Sequence, residues 1–399
     1  MIRLNKIGAL ALAAGFSLSL TAAAGRAEDA PGVTKDSVTI GSWMSLSGPV
    51  AVYGVPLRAG ADAYFNALND KGGVNGRKIN FIVEDNAYNP QQTIAAARKL
   101  ITRDNVLALT ITHGTAQTAA TFPFVIEENK VPVLLPYGQT INWYQPNPIP
   151  GILGLHVLYE AQVEAVGRLA AQDGHKKVLV VHGAHAAFEA VAKYAEPGVK
   201  AINPEATAEL LAVKMGTSDY APVVRDVISK KPDAVIAIIT LQELSQLAKG
   251  LRQQGSDLPI YTYGPNVSNA TIELGGEFVE GLKAVSLTVT PTTDSPAMQE
   301  YRADLAKYAP DQKPDFGSLL GYGAAKVFAA GLAQSPEPLT RQSLLEGFYK
   351  LKGYDSGIFP PVSFAPDKPM GGSILFPLVV KSGAWAPAGD PIDTSAFAK

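Results

Sequence analysis

Two hydrophobic periods alternate along most of this chain. Residues 37–44 (Ser-Val-Thr-Ile-Gly-Ser-Trp-Met) read as a strand, and 55–71 carries Leu57, Ala61, Tyr64, Phe65 and Leu68 on one helical stripe that Gly72-Gly73 stops. Strands at 78–84, 106–112 and 131–135 then alternate with helices at 91–103 and 116–128, and Pro136 closes the last strand. Strand followed by helix, four times over, predicts parallel strands joined by right-handed crossovers. A second series of similar plan starts near His156, with helices at 160–172, 186–201, 220–229 and 242–254 and strands at 177–181, 208–213, 234–239 and 259–263. After Gly281 the pattern loosens into a strand to Val289, helices at 297–308, 316–333 and 340–351, and a Gly- and Pro-rich tail with one strand at 373–381. Such a tail is expected to return to one of the two halves and make the domains discontinuous.

Ahead of this pattern, Arg3 and Lys6 precede an uncharged apolar stretch at 7–20 and then the small residues Thr21-Ala-Ala-Ala-Gly-Arg-Ala27. This is the layout of a secretory signal peptide, read here as 1–27. Cleavage after Ala27 leaves polar Glu28-Asp29 at the new terminus, and Ala24 is the other candidate position. The apolar stretch is shorter than the ~20 residues that span a bilayer, so an exported, periplasmic protein is expected.

The 399 residues suit two domains, each with its own core. There is no cysteine, which excludes disulfides and thiolate metal sites. The formal charge of −2 becomes −5 once Arg3, Lys6 and Arg26 leave with the signal, so no basic field exists for nucleic acid. Enzyme signatures are sparse: no P-loop, no nucleophile elbow and no His-Glu-x-x-His occur. Gly321-Tyr-Gly323 lacks the remainder of a dinucleotide fingerprint and reads better as small residues for close helix packing. His182 and His185 have no neighbouring carboxylate, so neither a metal nor any other cofactor is expected, and no catalytic residue is assigned.

In open α/β sheets ligands sit beyond the carboxyl ends of the strands. Those ends here carry 45–54, 113–118 and 136–139 in the first half, and 182–188, Thr240-Leu241 and 263–266 in the second. Gly114 to Thr118 enters a helix with small hydroxylic residues, so free N–H groups there can face an anion while Thr115 caps the helix.

The loops, in this order, resemble those of the leucine/isoleucine/valine-binding family, the type I periplasmic receptors of ABC transporters. The resemblance rests on Ser47-Gly-Pro-Val-Ala-Val-Tyr-Gly54, Asn69-Asp-Lys-Gly-Gly-Val-Asn-Gly76, Glu84-Asp-Asn86 and Val131-Pro-Val-Leu-Leu-Pro136, with weaker matches at Thr217-Ser-Asp-Tyr220 and Leu251-Arg-Gln-Gln-Gly255. It implies an α/β fold of two Rossmann-like lobes joined by three hinge strands, with lobe 1 at 33–155 plus 289–358 and lobe 2 at 156–288 plus 359–399. It also implies a monomer that hands a small solute to a membrane permease. By the same resemblance Tyr53 covers the ligand, and Thr115, Ala116 and Gln117 hold its carboxylate, with Ala116 standing where the family has a serine. Tyr137 and Gln139 form the next loop, His185 and Phe188 the clamp of lobe 2, and Thr240 or Leu241 a second lobe 2 contact. Tyr88 and Thr115 stand at the positions of a disulfide found in some members, so both halves are missing together.

Asn266 stands where amino-acid-binding members often place an acidic residue that pairs with the ligand's α-ammonium. The expected ligand is therefore a small carboxylate without a free α-amino group, aromatic or aliphatic. An amino acid or amide, with Glu243 supplying the charge, is the alternative. A secreted hydrolase on the same kind of sheet, and a sensory or chaperone-like partner protein, are readings from other classes.

Overall fold

The computed structural model describes residues 30–397; residues 1–29, which include the expected signal peptide at 1–27, and the last two residues lie outside the described part. Two sheets organise the chain. In lobe 1, strands β1 (Ser37–Met44), β2 (Lys78–Asp85), β3 (Leu109–Thr110), β4 (Val133–Leu134) and β5 (Ile152–Leu153) form an all-parallel sheet in the order 2-1-3-4-5. In lobe 2, β6 (Lys177–Gly183), β7 (Thr207–Val213), β8 (Ala234–Ile238), β9 (Ile260–Thr262) and β10 (Lys283–Ser286) run parallel. The tail adds β11 (Ile374–Lys381), β12 (Ala384–Pro387) and β13 (Ile392–Asp393) antiparallel, giving the order 12-11-10-9-8-6-7 with β13 against β11.

Helices follow where the apolar stripes demand a second layer. Lobe 1 has α1 (Ala51–Asp70), α2 (Pro90–Thr102) and the short α3 (Thr115–Ala119), and lobe 2 has α4 (Tyr159–Gln172), α5 (Ala186–Ala192), α6 (Ala195–Ile202), α7 (Ala221–Lys230), α8 (Leu241–Gln253) and α9 (Asn269–Gly275). The chain then returns to lobe 1 as α10 (Pro296–Tyr308), α11 (Phe316–Ala333) and α12 (Arg341–Tyr349). Helix α11 is apolar and mostly buried because it packs along α1. Helix α1 begins four residues before the expected start and carries Pro56 within it, which brings Tyr53 onto its first turn. Gly54 is required there: a Cβ would lie 2.1 Å from the Ser45 carbonyl oxygen.

Two expected helices are interrupted. The 116–128 segment divides into α3 and a wider turn at Pro123–Glu128, and 186–201 divides into α5 and α6.

The chain passes between lobes three times. After β5, Gly154 pairs with 369–371 through Gly154 N to the Pro369 oxygen (2.9 Å) and Gly371 N to the Gly154 oxygen (2.8 Å). After β10, Val289 N donates to the Ile358 oxygen at 3.0 Å. The third passage comes later than the expected boundary at 358. Residues beyond it still pack on lobe 1, with the Phe364 ring 5.6 Å from Phe348 of α12, and the chain reaches lobe 2 only at β11.

Candidate functional site

Both sheets reverse strand order at their centres, between β1 and β3 in lobe 1 and between β6 and β8 in lobe 2. The loops leaving those four strands face one another across a cavity of about 350 Å³. The wall from lobe 1 includes Tyr53, Tyr88, His113, Thr115, Ala116, Gln117, Tyr137, Gln139 and Thr140, and the wall from lobe 2 includes Tyr159, His185, Phe188, Met215, Thr240 and Tyr263.

The lobe 1 wall owes its shape to two paired kinks. Strands β3 and β4 each end at a residue in the left-handed region, Ile111 (φ 55°) and Leu135 (φ 55°). Such a backbone costs a residue like isoleucine on the order of 1–3 kcal/mol. Each kink shortens its expected strand, and two residues further on the chain presents His113 and Tyr137. Their rings stack with centroids 5.4 Å apart and planes at 24°. The backbone pairing resumes beyond the kinks, with Tyr137 N to the Thr112 oxygen at 2.8 Å and Gly114 N to the Tyr137 oxygen at 3.0 Å.

From this pair an arc of rings continues through the first passage into lobe 2. Tyr88 lies 5.5 Å from His113, Tyr137 5.9 Å from His156, His156 5.7 Å from Tyr159 and Tyr159 5.7 Å from Tyr263. Burial pushes His113 and His156 down to about 4. It also raises the hydroxyls of Tyr53, Tyr88, Tyr137, Tyr159 and Tyr263 above the ordinary tyrosine range, so these rings are neutral at pH 7. Among the described residues no carboxylate, lysine or arginine lines the cavity.

Nine of the eleven residues expected at the ligand lie in the cavity wall; Leu241 and Asn266 do not. Leu241 has its side chain fully buried, and its backbone N–H donates to the Tyr53 hydroxyl at 3.0 Å. Asn266 is also fully buried. It sits on the turn Gly264–Asn266 with its amide folded inward, donating to the Ile239 oxygen at 3.0 Å and Thr262 Oγ1 at 2.8 Å, while its Oδ1 accepts from the Tyr53 hydroxyl at 3.5 Å. Asn266 thus supports Tyr53 from behind and offers nothing to the cavity. Gln139 reaches the wall with its amide committed, bonding the Tyr144 hydroxyl (2.7 Å) and the His156 oxygen (2.6 Å), whereas Gln117 donates Nε2 to the Tyr88 oxygen (2.8 Å) and leaves its buried Oε1 without a partner. His185 caps α5 by accepting from Ala187 N at 3.2 Å. Glu243 is unavailable as well. Its Oε1 accepts Gly216 N at 2.9 Å, and its Oε2 accepts the N and Oγ1 of Thr240 at 3.0 and 2.9 Å.

The wall also holds Tyr88, His113, Tyr159 and Tyr263, which the resemblance does not mark as ligand residues. His113 and Tyr263 do end strand segments, so their loops carried the signal, whereas Tyr159 opens a helix beyond the first passage. Among the described residues no group of three or more His, Asp or Glu is placed to hold a metal ion.

Two α/β lobes facing each other over an uncharged cavity, with three chain passages between them, define a bilobal receptor for a small solute. The chain belongs to the periplasmic binding protein family, whose model matches residues 37–383. It is 27% identical over 318 residues to the Leu/Ile/Val-binding protein homolog 1 of Brucella melitensis, covering 75% of this chain and 80% of that protein. A branched-chain amino acid ABC transporter structure from Thermus thermophilus with bound valine shares the fold at TM-score 0.82 and 18% identity, over 92% of this chain and 98% of that one. An ABC transporter solute-binding protein of Rhodopseudomonas palustris, in complex with 3,4-dihydroxybenzoic acid, does so at TM-score 0.77 and 20% identity, over 90% and 98%.

Proposed function

We propose that this protein is the exported solute receptor of an ABC importer and that it captures a small carboxylate lacking a free α-amino group, with an aromatic acid fitting the ring-lined cavity best. The observation that supports this reading is that no acidic side chain among the described residues lines the cavity wall. A buried ammonium without a partner is costly by several kcal/mol, and here the carboxylate of Glu243 is consumed by α8 capping. Closure of the lobes around the ligand would present a form that a permease can recognise, because a ligand touching both walls favours the closed state.

The test is a thermal-shift screen against benzoate-type acids, keto and hydroxy acids, amides and amino acids. Ligand at 100 times its dissociation constant adds about 2.7 kcal/mol of stability. Aromatic acids should raise the melting temperature. Sub-micromolar leucine or valine binding with all the acids inert would overturn the reading.

A branched-chain amino acid receptor is the second reading. It is favoured by the name of the Brucella relative and by one buried group: Glu160, 2% exposed, gives Oε1 to the Thr140 hydroxyl at 2.7 Å while its Oε2 has no partner. An ammonium would have to reach past Thr140 to meet it, and Glu160→Gln would then abolish amino-acid binding.

A further inference from the structure

His113 occupies an unusual position for a histidine that no ion pair holds. It is 6% exposed, it lines the cavity, and Tyr53, Tyr88 and Tyr137 surround its ring at 6.3, 5.5 and 5.4 Å. Its two nitrogens are not equivalent. Nδ1 accepts the backbone N–H of Ser45 at 3.5 Å, whereas no hydrogen bond to a described residue engages Nε2. The supports of that contact are themselves fixed: Ser45 Oγ donates to Asn86 Oδ1 at 2.9 Å, and Asn86 Nδ2 returns to the His113 carbonyl at 3.3 Å. A nitrogen that accepts an N–H cannot also carry a proton, so the proton of the neutral ring sits on Nε2.

We propose that His113 is a specificity-determining residue whose neutral Nε2–H donates to a carboxylate oxygen of the ligand, with Ser45 N–H fixing the tautomer that makes this possible. This rests on the acid-binding reading above and names the side-chain donor for it. Gln139 spends its amide on the His156 oxygen and Gln117 gives one N–H to the Tyr88 oxygen, so the Nε2 of His113 is a buried ring donor that no acceptor among the described residues claims. The titratable groups facing His113 are the three tyrosine hydroxyls, from α1, from the loop after β2 and from the loop after β4, and all are neutral at pH 7. Burial and the Ser45 N–H both oppose a second proton on the ring, so the site holds an anion with a neutral donor instead of a cation. Selectivity follows: a neutral donor accepts carboxylates and rejects ligands that offer only donors at that point.

The test uses benzoate and 3,4-dihydroxybenzoate as probes. In protein labelled with 15N-histidine, His113 should show one neutral tautomer, protonated at Nε2, from pH 5.5 to 8 with and without benzoate, and its Nε2 proton should shift on saturation. Calorimetric binding enthalpies should be the same in buffers of different ionisation enthalpy. His113→Phe keeps a ring and removes the donor. It should weaken benzoate binding roughly 10- to 150-fold, the value of one hydrogen bond to a charged group, with the melting temperature of the free protein preserved. His113→Gln, which restores a donor, should recover part of the loss even if the Phe variant folds poorly. A proton on Nδ1, a charged imidazole in the complex, or undiminished benzoate binding in His113→Phe would overturn this proposal alone. If neither acid binds and leucine does, the acid-binding reading falls and takes this one with it.

Discussion

The hydroxyl oxygen of Tyr53 accepts the backbone N–H of Leu241 across the cleft at 3.0 Å, and its proton points to Asn266 Oδ1 at 3.5 Å. One lobe 1 side chain therefore closes on the amino end of α8 in lobe 2 while its ring walls the cavity. Further contacts span the lobes, among them Gln242 Nε2 to the Pro49 oxygen (3.3 Å), Ser268 Oγ to Asp315 Oδ2 (3.2 Å), Asn269 N to Asp315 Oδ2 (2.6 Å) and Asn269 Nδ2 to the Pro314 oxygen (2.9 Å). The lobes are thus described in a closed arrangement, and Tyr53 couples closure to the contents of the cavity.

Removing only that hydroxyl separates the two roles. Tyr53→Phe keeps the ring but leaves Leu241 N–H unmet in the closed form, at a cost of about 1–3 kcal/mol. Ligand affinity should drop about 5- to 150-fold at unchanged stability of the open protein. Calorimetry gives the affinity and small-angle scattering the closed fraction; unchanged values in both would remove Tyr53 from the closure mechanism.

Glu243 separates capping from recognition. Both its oxygens are occupied by Thr240 and Gly216, so Glu243→Gln loses one acceptor and should lower stability by about 1–3 kcal/mol. The order of preference among acids, amides and amino acids should stay as it is. Urea unfolding reads the first effect and a ligand panel the second. A lost or gained response to leucine would show that Glu243 faces the ligand.

The alternation of strand and helix was legible because a period of two and a period of 3.6 are hard to confuse over long segments, and Phe316–Ala333 has the predicted bounds. The losses are local. Nothing in a run of β-favouring residues announces that Ile111 and Leu135 turn left-handed, so two strands expected to be long shrink to two residues each. Helix α9 is seven residues long and buries only Thr271 and Gly275, too little for a stripe. At the site, loops at strand ends located most of the wall, but Tyr159 enters from a helix start. The loop of Asn266 reaches the cavity through Tyr263 and Pro265, but its own amide turns away, because the direction of an amide on a short turn depends on the acceptors that Ile239 and Thr262 bring from elsewhere.

The Gly321-Tyr-Gly323 segment has a packing explanation that substitution can test. A Cβ at Gly321 would lie 2.0 Å from the Leu57 carbonyl oxygen, and one at Gly60 1.8 Å from that of Ser318. Backbone atoms cannot yield without parting α1 from α11, so Gly321→Ala should cost about 1–3 kcal/mol or more despite the better helix propensity of alanine. Gly250→Ala is the control. There the nearest atoms to a Cβ all belong to the Val224 side chain, with Cγ2 at 2.6 Å, so a side chain and not a backbone has to shift. Thermal unfolding of the two variants should differ by several degrees, and equal melting temperatures would refute the close-packing account.

Acid should destabilise this protein through two histidines. His113 and His156 are buried with folded values pushed down to about 4, below the ordinary value near 6.5. Between those values the unfolded chain binds more protons than the folded one, so the stability they contribute is present above pH 6.5 and is lost as pH falls toward 4. The loss reaches up to about 3 kcal/mol for each histidine. His156 shows the cause most plainly: its Nδ1 lies 3.0 Å from the Val157 oxygen, and its Nε2 is buried with no partner, so a second proton would have no acceptor. Urea midpoints of the free protein should fall between pH 7 and pH 5, more steeply in wild type than in His156→Gln, which carries no titrating ring. A His156→Gln variant with the same pH slope as wild type would show that His156 does not titrate in this window.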